Sequence, residues 1–293
     1  MRVLILGCGY IGLPLATELV RQGYEVYGVR RSQSAIPTLE AAGIKPILAD
    51  ITRAEELAKI QLPFDWIVNT TGATQASVEQ YNSIYLNAAH NIIDWLSANP
   101  PKKYVYISST AVYGQSDGAL VSENSPTEPV SPTSRILVET EKVLLKAAQE
   151  RKFPVIILRS AGIYGPGRGY YLLKYLDGEA RIPGQGDRLA NMIHKDDLVG
   201  IILTALKSAH PGQIYNAVDD EPTPIVRLFR WLSESLARDM PPFVRQSIEE
   251  QGRGSKRVSN RKLKMELGYQ FKYPTFRQGC TAEIQRLEEE GKL

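Results

Sequence analysis

Arg2-Val3-Leu4-Ile5-Leu6-Gly7-Cys8-Gly9-Tyr10-Ile11-Gly12 opens the chain as an apolar run followed at once by glycines spaced G-x-G-x-x-G. Residues 3–6 read as a buried strand and residues 13–22 as a helix that Gly23 is placed to end. In such a turn the first glycine permits the tight bend and the second lets backbone N–H groups approach a pyrophosphate. The third allows close helix–strand contact, and the helix N-terminus adds partial positive charge. Gly7, Gly9 and Gly12, with Tyr10 and Ile11 between them, are therefore the expected contacts to a dinucleotide. Glycine clusters also mark ordinary turns. Here a strand precedes, a helix follows and the βαβ unit closes by residue 29, the context that gives the motif meaning.

Working outward, the same rhythm continues. Further strands are expected at 24–29, 44–49, 66–70, 103–109 and 155–159, separated by helical patterns at 38–42, 53–60, 81–98 and from Pro132 to about Arg151. Strands of this length alternating with helices imply right-handed crossovers and a parallel sheet covered on both faces. The expected fold is α/β, a Rossmann-type doubly wound parallel sheet with a smaller C-terminal lobe. Past Arg159 the rhythm breaks: 161–169 and 183–187 are rich in Gly and Pro and read as loops. Helices are expected at 195–208, 224–237 and 275–290, with a short strand near 214–218. The expected division is a dinucleotide-binding domain over 1–160 and a substrate-binding lobe over 161–293 that returns partly to the main sheet.

A doubly wound sheet binds its ligand outside the carboxyl ends of its strands, so those ends carry the functional expectations. The second strand delivers Arg30-Arg31-Ser32, where an NAD site usually places Asp or Glu. Two guanidiniums and a hydroxyl suit a 2′-phosphate, which points to NADP(H), with NAD(H) as the alternative; a solvated surface pair is the other reading of the arginines. Asp50 and Ile51 follow the third strand and suit an adenine amino group and ring, or simply the start of the next helix. Thr70-Thr71-Gly72 ends the fourth with small residues that admit the adenosine ribose and pyrophosphate side, or form a plain turn.

Composition narrows the function class. Across 293 residues, 43% hydrophobic and 23% charged, the formal net charge is +3 and no basic stripe with interleaved aromatics occurs, which argues against nucleic acid. No apolar run approaches a membrane span, and no signal peptide is expected before the first strand. The two cysteines, Cys8 and Cys280, suit a reducing compartment, so a cytoplasmic protein is expected. The three histidines and two cysteines lack ligand spacing, so no metal is expected. A small-molecule substrate is expected as the partner, and the chain is compatible with a homodimer.

Several stretches together carry a family resemblance: Gly9-Tyr10-Ile11-Gly12, Ser108-Ser109-Thr110-Ala111-Val112-Tyr113-Gly114, Arg159-Ser160-Ala161-Gly162-Ile163-Tyr164-Gly165-Pro166-Gly167-Arg168 and Ile193-His194-Lys195-Asp196-Asp197-Leu198. Over residues 1 to about 220 the chain resembles the extended short-chain dehydrogenases/reductases, including the NAD-dependent epimerase/dehydratases acting on nucleotide sugars. Its tail, from Val258-Ser259-Asn260-Arg261 to Tyr273-Pro274, looks like an atypical branch. Extended members usually carry a glycine where this chain has Leu6.

The resemblance implies a Ser or Thr, then a Tyr-x-x-x-Lys whose lysine lowers the tyrosine's pKa so that the phenol exchanges a proton while hydride moves. Ser109 matches the Ser/Thr position. Arg135 stands where the lysine is expected and Ser131 where the tyrosine is expected. Arginine keeps the charge and can bond a ribose hydroxyl; serine cannot act as a general acid near neutral pH. Tyr113 and Tyr164 are the candidate replacement phenols, and equally packing aromatics. The Gly-Pro loop with Arg168, and Arg188 with Asn191, are the expected substrate border, while His194 reads as structural.

The expected function is an NADP(H)-dependent oxidoreductase or epimerase/dehydratase of atypical short-chain type acting on a small polar, nucleotide-sugar-like substrate. The rival reading is a non-catalytic NADP(H) redox sensor.

Overall fold

The computed structural model describes residues 1–245 and 254–293. Seven strands form the main sheet: β1 (Arg2–Leu6), β2 (Glu25–Arg30), β3 (Lys45–Leu48), β4 (Trp66–Asn69), β5 (Lys103–Ser109), β6 (Val155–Ser160) and β7 (Ile214–Ala217). Their order across the sheet is β7-β6-β5-β4-β1-β2-β3, a parallel Rossmann-like arrangement whose order reverses between β1 and β4. The register sets Leu6 of β1 beside Val29 of β2 and Asn69 of β4. The carboxyl ends of the three strands therefore open together at the Gly turn.

The strands form because their apolar runs can be buried on both faces. Val3, Leu4, Ile5 and Leu6 are fully buried, each contributing roughly 1.5–3 kcal/mol of transfer free energy. Leu15, Ala16 and Leu19 of helix α1 (Gly12–Arg21) are likewise enclosed. A core of Leu4, Tyr27, Ile67, Tyr104, Ile92 and Ile157 fills the space between sheet and helices.

Some elements depart from the expected bounds. The helix expected at 53–60 is shorter, Ala54–Leu57, and its start is braced by Glu56, whose side chain turns back to accept from Asp50 N. The helix expected at 81–98 starts earlier, at Val78, where Ser77 accepts from Gln80 N. It contains a π-helical segment, Asn82–Asn87, before Ala88–Trp95. The region expected to be all loop at 161–169 holds a short strand, Gly162–Tyr164, paired in parallel with Met192–His194.

The residues gather into two compact units. The first comprises Met1–Val112, Ser131–Arg159 and Val199–Tyr215; the second comprises Tyr113–Val130, Ser160–Leu198 and Asn216–Leu293. The division is not made at one point: 113–130 and Ser160 belong to the second unit, and 199–215 belong to the first. The second unit has its own apolar core, built on Tyr164, Leu172, Ile182, Phe229, Phe276 and Ile284. Among the described residues, no helix is long and apolar enough to cross a membrane.

One buried ion pair ties three elements of the first unit. Glu141, on helix α2 (Pro132–Arg151), receives the Arg159 guanidinium from β6 in a two-pronged contact, Nη2 to Oε2 at 2.7 Å and Nε at 3.1 Å. The Ser108 hydroxyl from β5 donates to the other carboxylate oxygen at 2.5 Å. All three side chains are buried. Removing one partner leaves an uncompensated buried charge, so Glu141→Gln is expected to cost about 3–5 kcal/mol in urea denaturation. A loss below about 1 kcal/mol, the range of an exposed pair, would show that the contact does not hold these elements together.

Candidate functional site

The Gly turn is shaped by backbone that comes too close for side chains. Gly7 has φ +79°, and a Cβ built there would lie 2.7–2.9 Å from Thr71 atoms. A Cβ on Gly12 would lie 2.6 Å from Gly7 O, 2.8 Å from Thr70 Oγ1 and 2.9 Å from Ile5 Cγ2. The crowding is fixed by Thr70, whose hydroxyl donates to Gly7 O at 2.8 Å and whose N–H donates to Leu6 O at 2.9 Å. Gly9 differs. A Cβ there would meet only Arg30 Nη1 at close range, 2.8 Å, the mobile tip of a side chain.

Helix α1 begins at this turn with no side-chain cap and no acidic residue in its first turn. An uncapped N-terminus beside a cradle without Cβ atoms fits a dinucleotide pyrophosphate, held by backbone N–H groups and the helix dipole. Tyr10 is half-buried and Ile11 buried within this turn.

Arg30 is the last residue of β2, and its Nη1 donates to Cys8 O at 3.1 Å, laying the guanidinium across the turn. Burial pushes the Cys8 thiol up to about 12, against the pull of Arg30. Arg31 is exposed and stands 3.8 Å from Asp50 Oδ2. Ser32 accepts from Ser34 N and shares a 2.6 Å contact with its hydroxyl.

Asp50 is largely committed to its own turn: Oδ1 accepts from Thr52 N at 2.9 Å and Thr52 Oγ1 at 2.7 Å. Burial opposes its ionisation, but the Thr52 bonds and Arg31 outweigh that and hold the carboxyl below its usual value. Ile51 packs into the core. Of the two readings of this dipeptide, the geometry displays the local turn.

At the end of β4, Asn69 is buried and braced by a 3.0 Å bond from its Nδ2 to Tyr104 Oη. Its Oδ1 accepts from Thr71 N at 3.1 Å and Thr71 Oγ1 at 2.6 Å. Gly72 is exposed, with Tyr85 Oη 3.7 Å from where a Cβ would stand. The same phenol accepts from Ala73 N at 3.1 Å. Tyr85 lies in the π-helical segment and sequence periodicity gives no sign of its role.

Ser109 ends β5 half-buried, its Oγ accepting from Ala111 N at 3.1 Å, which orients the hydroxyl. Ser131 is the N-cap of helix α2: its Oγ accepts from Ser134 N at 3.1 Å and contacts Ser134 Oγ at 2.7 Å. Arg135, exposed one turn on, donates its backbone N–H to Ser131 O.

In the second unit the two candidate phenols are withdrawn from solvent. Tyr113 Oη donates to Asn216 Oδ1 at 2.8 Å, both residues being buried. Tyr164 Oη is buried with no hydrogen-bond partner among the described residues, packed on Gly279 and edge-on to His194. Burial, then the nearby Cys280 and Asp219, raises this phenol far above its ordinary value. Of the two readings of these residues, the buried packing role is the one the geometry displays.

Asn191 is likewise spent, bracing the backbone of Lys256 and Val258 through bonds of 2.9 Å on each side of its amide. His194 is buried, its Nδ1 accepting from Asp196 N at 3.1 Å. Asp197 is fully buried and accepts from Tyr269 Oη, Lys272 N and Tyr273 N. Arg168 is exposed in the Gly-Pro loop, with its backbone bridged to Gly165.

The model of the NAD dependent epimerase/dehydratase family matches residues 3–217. The chain belongs to this family. Protein YeeZ of Escherichia coli K12 is 29% identical over 278 residues, covering 93% of this chain and 96% of that protein. A functionally unknown conserved protein from Silicibacter pomeroyi superposes with a TM-score of 0.80 at 28% identity, covering 97% of this chain and 98% of that one. The dTDP-glucose 4,6-dehydratase DesIV of Streptomyces venezuelae, solved with NAD and TYD bound, gives a TM-score of 0.86 at 22% identity over 99% of this chain and 97% of its own, a likeness of fold.

For this epimerase/dehydratase family member the Gly turn separates glycines whose Cβ would meet backbone from one whose Cβ would meet only a side-chain tip at close range. Gly12→Ala forces backbone and β1 apart and is expected to cost about 1–3 kcal/mol of stability. Gly9→Ala displaces only the Arg30 tip, so stability should change by less than about 1 kcal/mol, while affinity for a nicotinamide dinucleotide is expected to fall about tenfold or more if Gly9 lines its site. Denaturation and calorimetric titration of the two variants check this; equal stability losses would remove the distinction.

Proposed function

We propose that the chain is an NADP(H)-dependent oxidoreductase or epimerase/dehydratase-like enzyme acting on a small polar, nucleotide-sugar-like substrate. The observation that carries the cofactor choice is Arg30 laid across the Gly turn, with Arg31 next to it and no carboxylate at the end of β2. A 2′-phosphate suits two guanidiniums, whose planar forks bond phosphate oxygens in pairs. The family description and the NAD in related structures support a nicotinamide dinucleotide. Gly7, Gly9, Tyr10, Ile11 and Gly12 would hold its pyrophosphate, and Thr70, Thr71 and Gly72 its adenosine side. Both cysteines are buried free thiols, in keeping with a reducing, cytoplasmic setting.

When bound, the nicotinamide supplies a hydride donor or acceptor. Ser109, oriented by the Ala111 N–H, is assigned to hold the reacting oxygen of the substrate by a hydrogen bond. Arg135 is assigned to the nicotinamide ribose. On this reading Ser131 occupies the phenol's place, and with Tyr113 and Tyr164 buried the proton comes from water.

A second reading, an NADP(H)-binding redox sensor without turnover, is favoured by the cap role of Ser131 and the burial of both phenols. Prolonged incubation with NADPH and a panel of carbonyl compounds and sugar nucleotides separates the two. NADPH oxidation that Ser109→Ala abolishes establishes the enzyme; tight cofactor binding with no turnover across the panel establishes the sensor.

The cofactor assignment has its own measurement. Replacing Arg30 and Arg31 together by Ala removes two charge-assisted contacts and is expected to weaken NADP+ about 100-fold, and NAD+ by less than about threefold. Equal losses for both dinucleotides would return the arginines to the status of surface charges.

A further inference from the structure

The end of β3 brings a carboxylate to the arginines at the end of β2. The two strands run parallel with Arg30 beside Leu48, and Ala49 N donates to Arg30 O at 3.1 Å. One residue further along each chain, Arg31 and Asp50 stand together, with Nη1 3.8 Å from Oδ2. Their nearness follows from the evenly spaced pairing of parallel strands and does not hang on one rotamer of the arginine.

The carboxylate is fixed and the arginine is loose. Asp50 Oδ1 accepts from Thr52 N and Thr52 Oγ1, and Asp50 N donates to Glu56 Oε2 at 2.7 Å. These bonds leave Oδ2 for Arg31, whose side chain is 62% exposed against 25% for Asp50. Arg53, a further cation near Asp50, approaches Glu56 Oε1 at 3.4 Å. Three groups at the end of β2 suit a 2′-phosphate. Arg30 Nη1 donates to the neutral Cys8 carbonyl, and Ser32 Oγ accepts from Ser34 N. Among the described residues, Arg31 is the one of the three that faces a carboxylate. A guanidinium drawn to that carboxylate has to leave it before its planar fork can bond phosphate oxygens in pairs. NAD(H) carries a hydroxyl in place of the phosphate and makes no such demand.

We propose that Asp50 is a specificity-determining residue, which competes with the 2′-phosphate for Arg31 and so narrows the preference for NADP(H) over NAD(H). The inference rests on the dinucleotide site proposed above, but it concerns the ratio of two affinities and not which of them is larger. Ion pairs this exposed are weak, so the effect is a few-fold.

The test titrates the full chain calorimetrically with NADP+ and with NAD+ at low ionic strength, where surface charges are least screened. The proteins are wild type, Asp50→Asn, Arg31→Ala and the double variant. Asparagine keeps an oxygen for Thr52, so the turn is retained, which urea denaturation checks. Asp50→Asn is expected to raise the NADP+ to NAD+ affinity ratio about fivefold, and by less than about twofold where Arg31 is already Ala. Any contact of Asp50 with the adenine ring affects both dinucleotides alike and cancels in the ratio. Phenylglyoxal labelling of wild-type protein, read by peptide mass spectrometry, needs no variant. At equal saturation, NADP+ is expected to slow labelling of Arg31 more than NAD+ does. An unchanged ratio in Asp50→Asn, the same rise in both backgrounds, or equal protection of Arg31 by the two dinucleotides overturns the proposal. A ratio that shifts as expected in a wild type favouring NAD+ supports the role of Asp50 while removing the NADP(H) assignment. Binding of neither dinucleotide overturns both.

Discussion

The first unit depends on a close approach of backbone at one corner of the sheet. Gly7, Gly12 and Thr70–Thr71 meet where β1, α1 and β4 converge, with spacings that leave no room for a Cβ. The Thr70 hydroxyl and N–H then bolt β4 to the two carbonyls at the end of β1. The sheet order reverses beside this point, so the crevice that a doubly wound fold offers to ligands opens there. Close packing and the uncapped helix N-terminus meet in one arrangement, since the missing side chains allow the backbone to approach there.

The chemistry on offer is uneven. The corner that suits a dinucleotide is well furnished, with an uncapped helix, small residues at the end of β4 and two arginines at and just past the end of β2. The proton-transfer half is sparse. Ser109 keeps an oriented hydroxyl, whereas the phenols nearest to it in sequence or motif are engaged in packing. Buried polar groups in this chain mostly serve architecture: the Glu141–Arg159 pair locks β5, α2 and β6, and Asp197 gathers the segment from Tyr269 to Tyr273.

Much of the fold could be read from the sequence because its signals are local. Apolar runs of four to seven residues bounded by turn residues marked the main strands, since burial on both faces leaves that pattern. The glycine spacing marked the turn between β1 and α1, since a close approach of backbone there leaves no room for a Cβ at Gly7 and Gly12. What could not be read was non-local. The π-helical register that sets Tyr85 under Ala73 leaves no periodic trace. Nothing in Ser108, Glu141 or Arg159 alone announces that the three share one buried contact. Residues 113–130 look like an ordinary polar connection, yet they belong with the second unit because Leu120–Val121 pairs with a strand more than a hundred residues later. Lys256 lies in a polar stretch that reads as surface, and only tertiary packing makes it a buried charge.

Ser131 carries a consequence for how easily this chain could change its chemistry. Its oxygen satisfies an amide at the start of a twenty-residue helix, and a tyrosine at that position has no oxygen within reach of that amide. Installing a phenol there therefore strips the helix of its cap, a loss of about 1 kcal/mol in helices of this kind. A phenol at this position needs a second, coordinated change that closes the helix end again. The position is tied to the helix end: any side chain there without a short oxygen costs the helix its cap, whatever else that side chain brings.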